Sequence, residues 1–379
     1  MLAHFAHHML TALVIPLLPF IRDEFALDYT RSGLMLSAFA LSYGLGQLPA
    51  GWLADRIGPR ILITIGISGA ALFGLLVGLS QTYIMMIVFL VLLGLTGGGY
   101  HPSVVPLIST SLEPKNLGRA LGLHQLGGSA SFFLAPLIAA AIATVWGWRG
   151  SFIALAVPTV VFGMVFYVLL GRRAHPMKAE YRITSSDNDA PSNPQRWRHL
   201  VPFIVLVTFA SAALFSTIAF IPLFLVDHFG ISEGKAAASI ALCYSAGLWV
   251  SPLGGYLSDR LGRLPMILGA CLFAGPVIYM LNLVPYGLGV SAVMVAIGMI
   301  AYTIMPVSEA YIIGQTPEHY RSTIFGIYYF CSMEAGGVLT PGLGYLIDQF
   351  GFYPSFTIVG AALVAVTLVC SIFLRGGRD

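Results

Sequence analysis

Two acidic side chains lie deep inside apolar stretches of this sequence, where an ionised group is expensive to bury. Of the sixteen acids in the chain, we place Glu334 and Glu309 well within predicted membrane spans. Glu334 follows Arg321 along one predicted helix, which puts it near the middle of a bilayer at ~1.5 Å per residue. A carboxyl group at that depth could carry a proton, or could be a structural acid hydrogen-bonded between helices. Glu309 could carry a proton or form an ion pair that controls access.

Histidines are the second set of candidate residues. His101 follows three glycines and Tyr100 and precedes a proline, and imidazole titrates near neutral pH, so His101 is a second candidate for proton coupling. His4, His7 and His8 share one face of the first predicted helix, a spacing that would suit a divalent metal ion. No Cys, Asp or Glu accompanies them in that span. We therefore predict no metal site, and an interfacial or gating role for these three.

Polar and aromatic side chains within the spans are candidates for contact with a small-molecule substrate. Each could also face lipid or pack between helices, and together they suit a modestly polar, amphipathic solute. We place no Arg or Lys in mid-span, so an anionic substrate would rely on histidines, helix N-termini or hydroxyl groups. The candidates are Tyr43, Gln47, Tyr100, His124, Gln125, Tyr244, Trp249, Tyr302, Tyr328 and Tyr329.

The composition predicts that long membrane helices position these residues. Of the 379 residues, 57% are hydrophobic and only 9% charged, against about a quarter charged in a soluble domain. A span needs about 20 apolar residues, and on that basis we predict an all-α membrane protein with twelve transmembrane helices. The predicted spans are 2–21, 32–54, 61–80, 83–110, 118–143, 150–171, 200–226, 236–257, 264–283, 287–313, 322–346 and 353–374.

A polar interruption divides the chain into six spans and six. Residues 172–199 are basic at both ends and rich in Ser, Asp, Asn and Pro between, which is typical of a flexible linker. We therefore predict an N-terminal bundle at 1–171, a cytoplasmic linker at 172–199 and a C-terminal bundle at 200–379. With the N-terminus inside, all but four of the 19 Lys and Arg face the cytoplasm. Both termini should then be cytoplasmic, in a bacterial plasma (inner) membrane.

A charged turn appears twice, at residues 51–60 and 255–263, with an offset of 204 positions. The first copy reads Gly-Trp-Leu-Ala-Asp-Arg-Ile-Gly-Pro-Arg and the second Gly-Tyr-Leu-Ser-Asp-Arg-Leu-Gly-Arg. Such a repeat predicts two pseudo-symmetric six-helix bundles related by an axis normal to the membrane. The residues assigned to these turns are Gly51, Asp55, Arg56, Gly58, Arg60, Gly255, Asp259, Arg260, Gly262 and Arg263.

The doubled turn, with its six-plus-six arrangement, resembles the signature loop of the major facilitator superfamily over essentially the whole chain. The resemblance implies that the two turns latch the bundles together in an outward-open state. Residues 97–102 and the histidine-rich first span are also similar to those of fosmidomycin-resistance-type drug exporters, a branch of that superfamily. The chain departs from the proton-coupled and exporter patterns at Leu90 or Leu93, in place of an Arg, and at Ser131, Ala135 and Ala139, in place of glycines.

From this resemblance we predict a secondary transporter that works by alternating access, with proton-coupled efflux of small amphipathic compounds as the first hypothesis. Two alternatives stay open: an importer of a small metabolite such as an organic acid or sugar, and a transporter-like sensor that moves nothing. No nucleotide-binding or hydrolase motif is present, so we predict neither an enzyme nor a cofactor. The expected partners are a small-molecule substrate, protons and the lipid bilayer, with no nucleic acid and a monomeric state.

Overall fold

A computed structural model describes residues 1–111, 114–172, 194–316 and 321–374. Most of the predicted linker, residues 173–193, lies outside this part, as do the side chain of Tyr329 and the surroundings of Gly255. Over the described residues the chain is helical and contains no strand. The helices are α1 (Leu2–Thr11), α2 (Val14–Phe25), α3 (Tyr29–Ile57), α4 (Pro59–Thr64), α5 (Ala70–Gly78), α6 (Tyr83–Gly97), α7 (Tyr100–Ser111), α8 (Pro114–Arg172), α9 (Pro194–Phe229), α10 (Glu233–Ser245), α11 (Val250–Leu261), α12 (Arg263–Met280), α13 (Leu288–Gln315), α14 (Arg321–Phe350) and α15 (Phe352–Leu374).

The predicted fold of twelve membrane helices in two bundles of six is confirmed. Eight segments of the described chain are apolar and long enough to span a bilayer, and one of them, Arg119–Arg172, bends at Gly147 and holds two spans. The other three spans are α3, α10 with α11, and α14, which are less apolar. Two of these three, α3 and α14, form a major contact between the bundles, where a less apolar surface is tolerated because it faces protein and not lipid.

Several spans are broken, and of these only the glycine-rich fourth was expected to loosen. The first is interrupted between α1 and α2, the fourth between α6 and α7, and the eighth at a 3₁₀ turn, Ala246–Leu248. A π-helical turn, Ile65–Gly69, joins α4 to α5. Irregular backbone is tolerated at membrane depth only where protein or a cavity surrounds it. The breaks therefore identify spans that face the interior of the molecule.

The backbone repeats the duplication seen in the sequence. Gly58 and Gly262, 204 positions apart, end α3 and α11 with φ of 91° and 89°. Gly147 and Gly351, separated by the same 204 positions, have φ of 69° and 78°. Side chains rarely adopt such positive φ values, so glycine is the residue best suited to these turns. The two bundles thus change chain direction in the same way at matching positions.

The two bundles meet closely along α3 and α14. A Cβ atom added to Gly33 would lie 2.8 Å from the Cα of Pro341, and one added to Gly344 would overlap the carbonyl of Tyr29. The Ser37 hydroxyl also donates a hydrogen bond to the carbonyl of Gly337. Small residues let the two backbones touch, as in other membrane helix pairs. We call the end of the molecule that carries residues 22–31, 227–233 and 348–352 the closed end, and the opposite end, with residues 51–60 and 255–263, the motif end.

We predict that Gly344→Ala opens the closed end. The new methyl group would collide with the Tyr29 backbone, which cannot move aside as a flexible side chain could, and such overpacking costs about 1–3 kcal/mol. The distance between nitroxide labels at Gln81 and Tyr286, measured by double electron–electron resonance, should shift toward a longer population. Gly342→Ala is the matched control, because a Cβ there meets nothing within 4 Å. Equal distance distributions in the two variants would contradict the prediction.

Candidate functional site

Glu334 lies in the contact between the bundles. Its side chain, 8% exposed, projects from α14 against Gly44 of α3, where a Cβ atom would overlap the Glu334 carboxyl oxygen. That oxygen, Oε1, has no hydrogen-bond partner among the described residues. An ionised carboxylate buried without a partner is far more costly than a neutral carboxylic acid. In this conformation the site therefore suits the protonated acid, and the missing side chain of Gly44 provides the space that it fills.

The sequence identified Glu334 but not Gly44. A glycine between Tyr43 and Leu45 gives no sign of what faces it, because the facing residue comes from a helix almost 300 positions later. Glu309 lies half-buried on α13 and is not part of the contact between α3 and α14. The structure thus separates the two acids that the sequence treated as similar candidates.

Five histidines gather inside the N-terminal bundle. The rings of His4 and His124 stack at 4.1 Å between centroids, and His101 lies 5.0 Å from His4 and 5.4 Å from His8. His7 stacks on Tyr100 at 4.3 Å. His4 and His7 are 2% and 1% exposed, so both rings are packed inside the bundle. Their partners come from α3, α7 and α8, which a search along the first span alone could not reveal.

Aromatic contacts extend this cluster toward the C-terminal bundle. Phe132 of α8 lies 4.7 Å from the His8 ring and 5.4 Å from the ring of Tyr244 on α10, in the opposite bundle. Tyr302 of α13 packs against Gly247 in the 3₁₀ turn that follows α10. A solute between the bundles would therefore meet imidazole groups of the N-terminal bundle and phenol groups of the C-terminal bundle.

The predicted substrate contacts divide into two groups. Tyr43 joins the cluster through a 2.9 Å hydrogen bond to Nε2 of His7, and Tyr100 and His124 join it through ring contacts. Four other candidates lie outside the histidine cluster. Gln47 is half-buried, Gln125 is exposed, Trp249 is 43% exposed and Tyr328 is 2% exposed.

At the motif end, the described arginines contact their own bundles. Arg60 donates a 2.8 Å hydrogen bond to the carbonyl of Tyr167 and lies over that residue's ring. Arg263 donates to the carbonyl of Ala310 at 2.8 Å and pairs with Asp259 at 3.6 Å. The remaining arginines of the turns, Arg56 and Arg260, lie over the rings of Trp52 and Tyr256. The latch between bundles implied by the sequence stays a prediction for another conformation.

A polar network joins the bundles at the closed end. Arg22 of α2 forms a two-pronged ion pair with Asp227 of α9, and the Tyr29 hydroxyl donates to the same carboxylate at 2.6 Å. Asp348 of α14 accepts the backbone N–H groups of Tyr29 and Thr30 at 2.9 and 2.8 Å. These two N–H groups begin α3, where a carboxylate is favoured by the unpaired donors and the helix dipole. No sequence pattern indicates this network, since its members are far apart in the chain.

Two further acids at the closed end, Glu24 and Glu233, have charged neighbours that affect their ionisation. Glu24 accepts hydrogen bonds from Trp148, at 2.6 Å, and from Arg149 within the N-terminal bundle. Glu233, at the first position of α10 and before its apolar part, faces Asp23 and Arg22. Burial and the neighbouring Asp23 carboxylate raise the pKa of Glu233 to about 7, and Arg22 opposes this shift.

We predict that acidic pH strengthens closure of the closed end. The raised pKa of Glu233 means that the closed form holds its proton more tightly than an open, solvated form would. The proton on Glu233 therefore adds to the stability of the closed end at low pH, and this contribution is lost as the pH rises through about 7, where Glu233 ionises beside Asp23. Label distances between Gln81 and Tyr286, followed from pH 5 to 8, should shift toward longer values as the pH rises in the native chain. Glu233→Gln should remain closed across the range, and an unchanged pH dependence in that variant would refute the assignment.

Comparison with known proteins finds one matching family model and a set of related transporters. The family model described as Major Facilitator Superfamily matches residues 1–341. The probable sulfoacetate transporter SauU of Cupriavidus necator is 27% identical, with 94% of this chain and 88% of that protein covered. The hexuronate transporter of Bacillus subtilis is 23% identical over 94% and 89%. The multidrug resistance protein MdtG of Escherichia fergusonii is 24% identical over 95% and 89%.

A solved structure has the same fold. The crystal structure of a bacterial homologue of the human lysosomal transporter Spinster, in an inward-facing and occupied conformation, superimposes with a TM-score of 0.80. The match covers 98% of this chain and 94% of that one, at 18% sequence identity.

Proposed function

The chain belongs to the Major Facilitator Superfamily, and on that premise we propose that it is a proton-coupled secondary transporter of a small organic acid. It is a multi-pass membrane transporter and not an enzyme. The observation that carries the proposal is the buried carboxyl group of Glu334 between the bundles, whose Oε1 has no hydrogen-bond partner among the described residues. The resemblance to fosmidomycin-resistance-type exporters has no further support from the family or relatives found.

Proton coupling follows from where Glu334 is buried. In the closed contact of α3 and α14 the acid must be neutral, because no described group compensates a charge on Oε1. Separation of the two helices would admit water and let the carboxyl group ionise. The proton is then bound and released in step with the movement of the bundles, which is what coupling requires.

Alternating access supplies that movement. We assign the closed end to the outer face and the motif end to the cytoplasm, because the basic loops accumulate at the motif end. Residues 1–171 would rock against residues 200–379, joined by a linker at 172–199. The conformation described here is then closed at the outer face of a protein in the bacterial plasma membrane, with both termini cytoplasmic. We propose that the monomer is the working unit.

The cargo class rests on the chemistry between the bundles and on the relatives. Imidazole and phenol groups from both bundles converge around Phe132, and such groups can hydrogen-bond a carboxylate or sulfonate. Relatives with 88% and 89% coverage are named for sulfoacetate and hexuronate, which are small organic anions. We therefore propose a small organic anion as the cargo and uptake as the direction of its transport.

We predict that Glu334→Gln abolishes uphill transport but preserves exchange. The glutamine amide permanently mimics the neutral, protonated form of Glu334. The bundles can therefore still move, but they carry no proton. Proteoliposomes with an imposed pH gradient should show gradient-driven accumulation reduced at least ~10-fold, with counterflow close to that of the native chain. Glu309→Gln is the matched control and should keep its coupling. Full gradient-driven flux through Glu334→Gln would exclude Glu334 as the coupling group.

A second candidate function is efflux of amphipathic compounds. The sequence similarity to a multidrug resistance protein over 95% of the chain favours it, as does the aromatic lining from Phe132 to Tyr302. An exporter and an importer of this fold can share every contact described above, since the direction depends on whether proton and cargo are bound together or in alternation. Transport measurements must decide between them.

We predict that small carboxylates and sulfonates stabilise the purified protein and that amphipathic drugs do not. A ligand present at 100 times its dissociation constant adds about 2.7 kcal/mol to the free energy of unfolding, which a thermal-shift assay detects. In cells, deletion of an importer lowers accumulation of the stabilising compound, whereas deletion of an exporter raises it. Stabilisation by a ligand that shows no flux in either direction would favour the sensor alternative.

A further inference from the structure

Three of the clustered histidines bring ring nitrogens together in a way that suits a metal ion. His4 and His8 are one helical turn apart on α1, and His101 comes from the second position of α7. One ring nitrogen from each lies within 4.8 Å of the other two. A histidine pair at positions i and i+4, with a third ligand from another helix, is a common geometry for divalent transition metals.

The hydrogen bonds of His4 fix its tautomer. Its Nδ1 lies 2.8 Å from the carbonyl oxygen of His124, and because a carbonyl only accepts, Nδ1 carries the hydrogen. In the neutral ring Nε2 then presents a lone pair, and this buried Nε2 has no partner among the described residues. Metal-binding histidines usually donate their other N–H to a carbonyl or carboxylate in this way.

His8 can adopt the same arrangement through Thr11. The Thr11 hydroxyl oxygen lies 3.1 Å from Nδ1 of His8 and 3.4 Å from the carbonyl oxygen of His8. When the hydroxyl hydrogen is directed to that carbonyl, the Thr11 oxygen accepts from Nδ1 and Nε2 of His8 presents a lone pair. A carbonyl outside the three candidate ligands therefore sets the tautomer of His4, and Thr11 is positioned to set that of His8.

The other histidines differ from these two. His7 uses both ring nitrogens, donating from Nδ1 to the Gly66 carbonyl at 2.9 Å and accepting at Nε2 from the Tyr43 hydroxyl at 2.9 Å. It has no lone pair to offer. His124 stacks face to face on His4 with an interplanar angle of 9°, and its buried Nε2 also has no partner among the described residues. The three rings whose nitrogens all lie within 4.8 Å of one another are, however, those of His4, His8 and His101.

We propose that His4, His8 and His101 form a binding site for one divalent late-transition-metal ion of the Zn²⁺ class. Three neutral imidazoles match the nitrogen preference of such ions over Mg²⁺ or Ca²⁺, which prefer oxygen. Ligands at ~2.0–2.1 Å from Zn²⁺ are roughly 3.3 Å apart, so the rings must close by about 1–1.5 Å. His101 can supply that movement, because no described hydrogen bond restrains its ring. The site does not depend on which cargo the transporter carries.

The experiment is metal binding to the purified full-length chain, prepared without a histidine tag and stripped with chelator. Isothermal titration with Zn²⁺ should give one ion per chain, and Co²⁺ should give the visible absorption of a nitrogen-ligated ion with fewer than six ligands. Mg²⁺ at the same concentrations should give no binding. His101→Asn and His8→Asn should each weaken Zn²⁺ binding at least ~100-fold, whereas His228→Asn, at the closed end, should leave it unchanged.

A second pair of variants keeps the test valid if a histidine variant misfolds. Thr11→Val removes the acceptor that orients His8 and should weaken Zn²⁺ binding about 10- to 100-fold, and Thr11→Ser should restore it. Loss of binding in Thr11→Val with recovery in Thr11→Ser supports the site. Unchanged Zn²⁺ affinity in well-folded His101→Asn, or equal affinities in the two Thr11 variants, overturns it.

Discussion

The close approach of α3 and α14 is the contact on which the rest of this structure depends. It brings two backbones together at Gly33 and Gly344, and it removes water from Glu334. Lipid gives no hydrophobic driving force for helix association, so a membrane protein must rely on such tight van der Waals contact and on internal hydrogen bonds. The glycines that permit the approach are therefore as important to the site as the acid itself.

The closed end combines two kinds of contact with different strengths. Exposed ion pairs contribute little individually, typically about 0–1 kcal/mol. The Asp348 carboxylate is different, since it accepts two backbone N–H groups at the start of α3 and so replaces the water that would otherwise satisfy them. Packing along α3 and α14 then sets how closely the bundles meet, and the polar network sets which residues face one another.

Much of the fold could be predicted from the sequence, because hydrophobic length and loop charge are local properties. The spans and the duplicated turn both followed from them. The helix break at Ala246–Leu248 could not be predicted in this way, because the glycines and prolines around it resemble those of an unbroken span. The histidine cluster was missed for a different reason: its members are separated by up to 120 positions, and only tertiary packing decides that His4 meets His124.

The matching φ angles at Gly58 and Gly262, and at Gly147 and Gly351, have a consequence for how this protein divides its work. The turns have kept one backbone geometry in both copies of the repeat, while the side chains between them have diverged. All five clustered histidines belong to the first copy, and the acid that we assign to protons belongs to the second. The architecture is shared by the two copies, whereas the chemistry is split between them, so neither half alone contains a complete set of reactive groups.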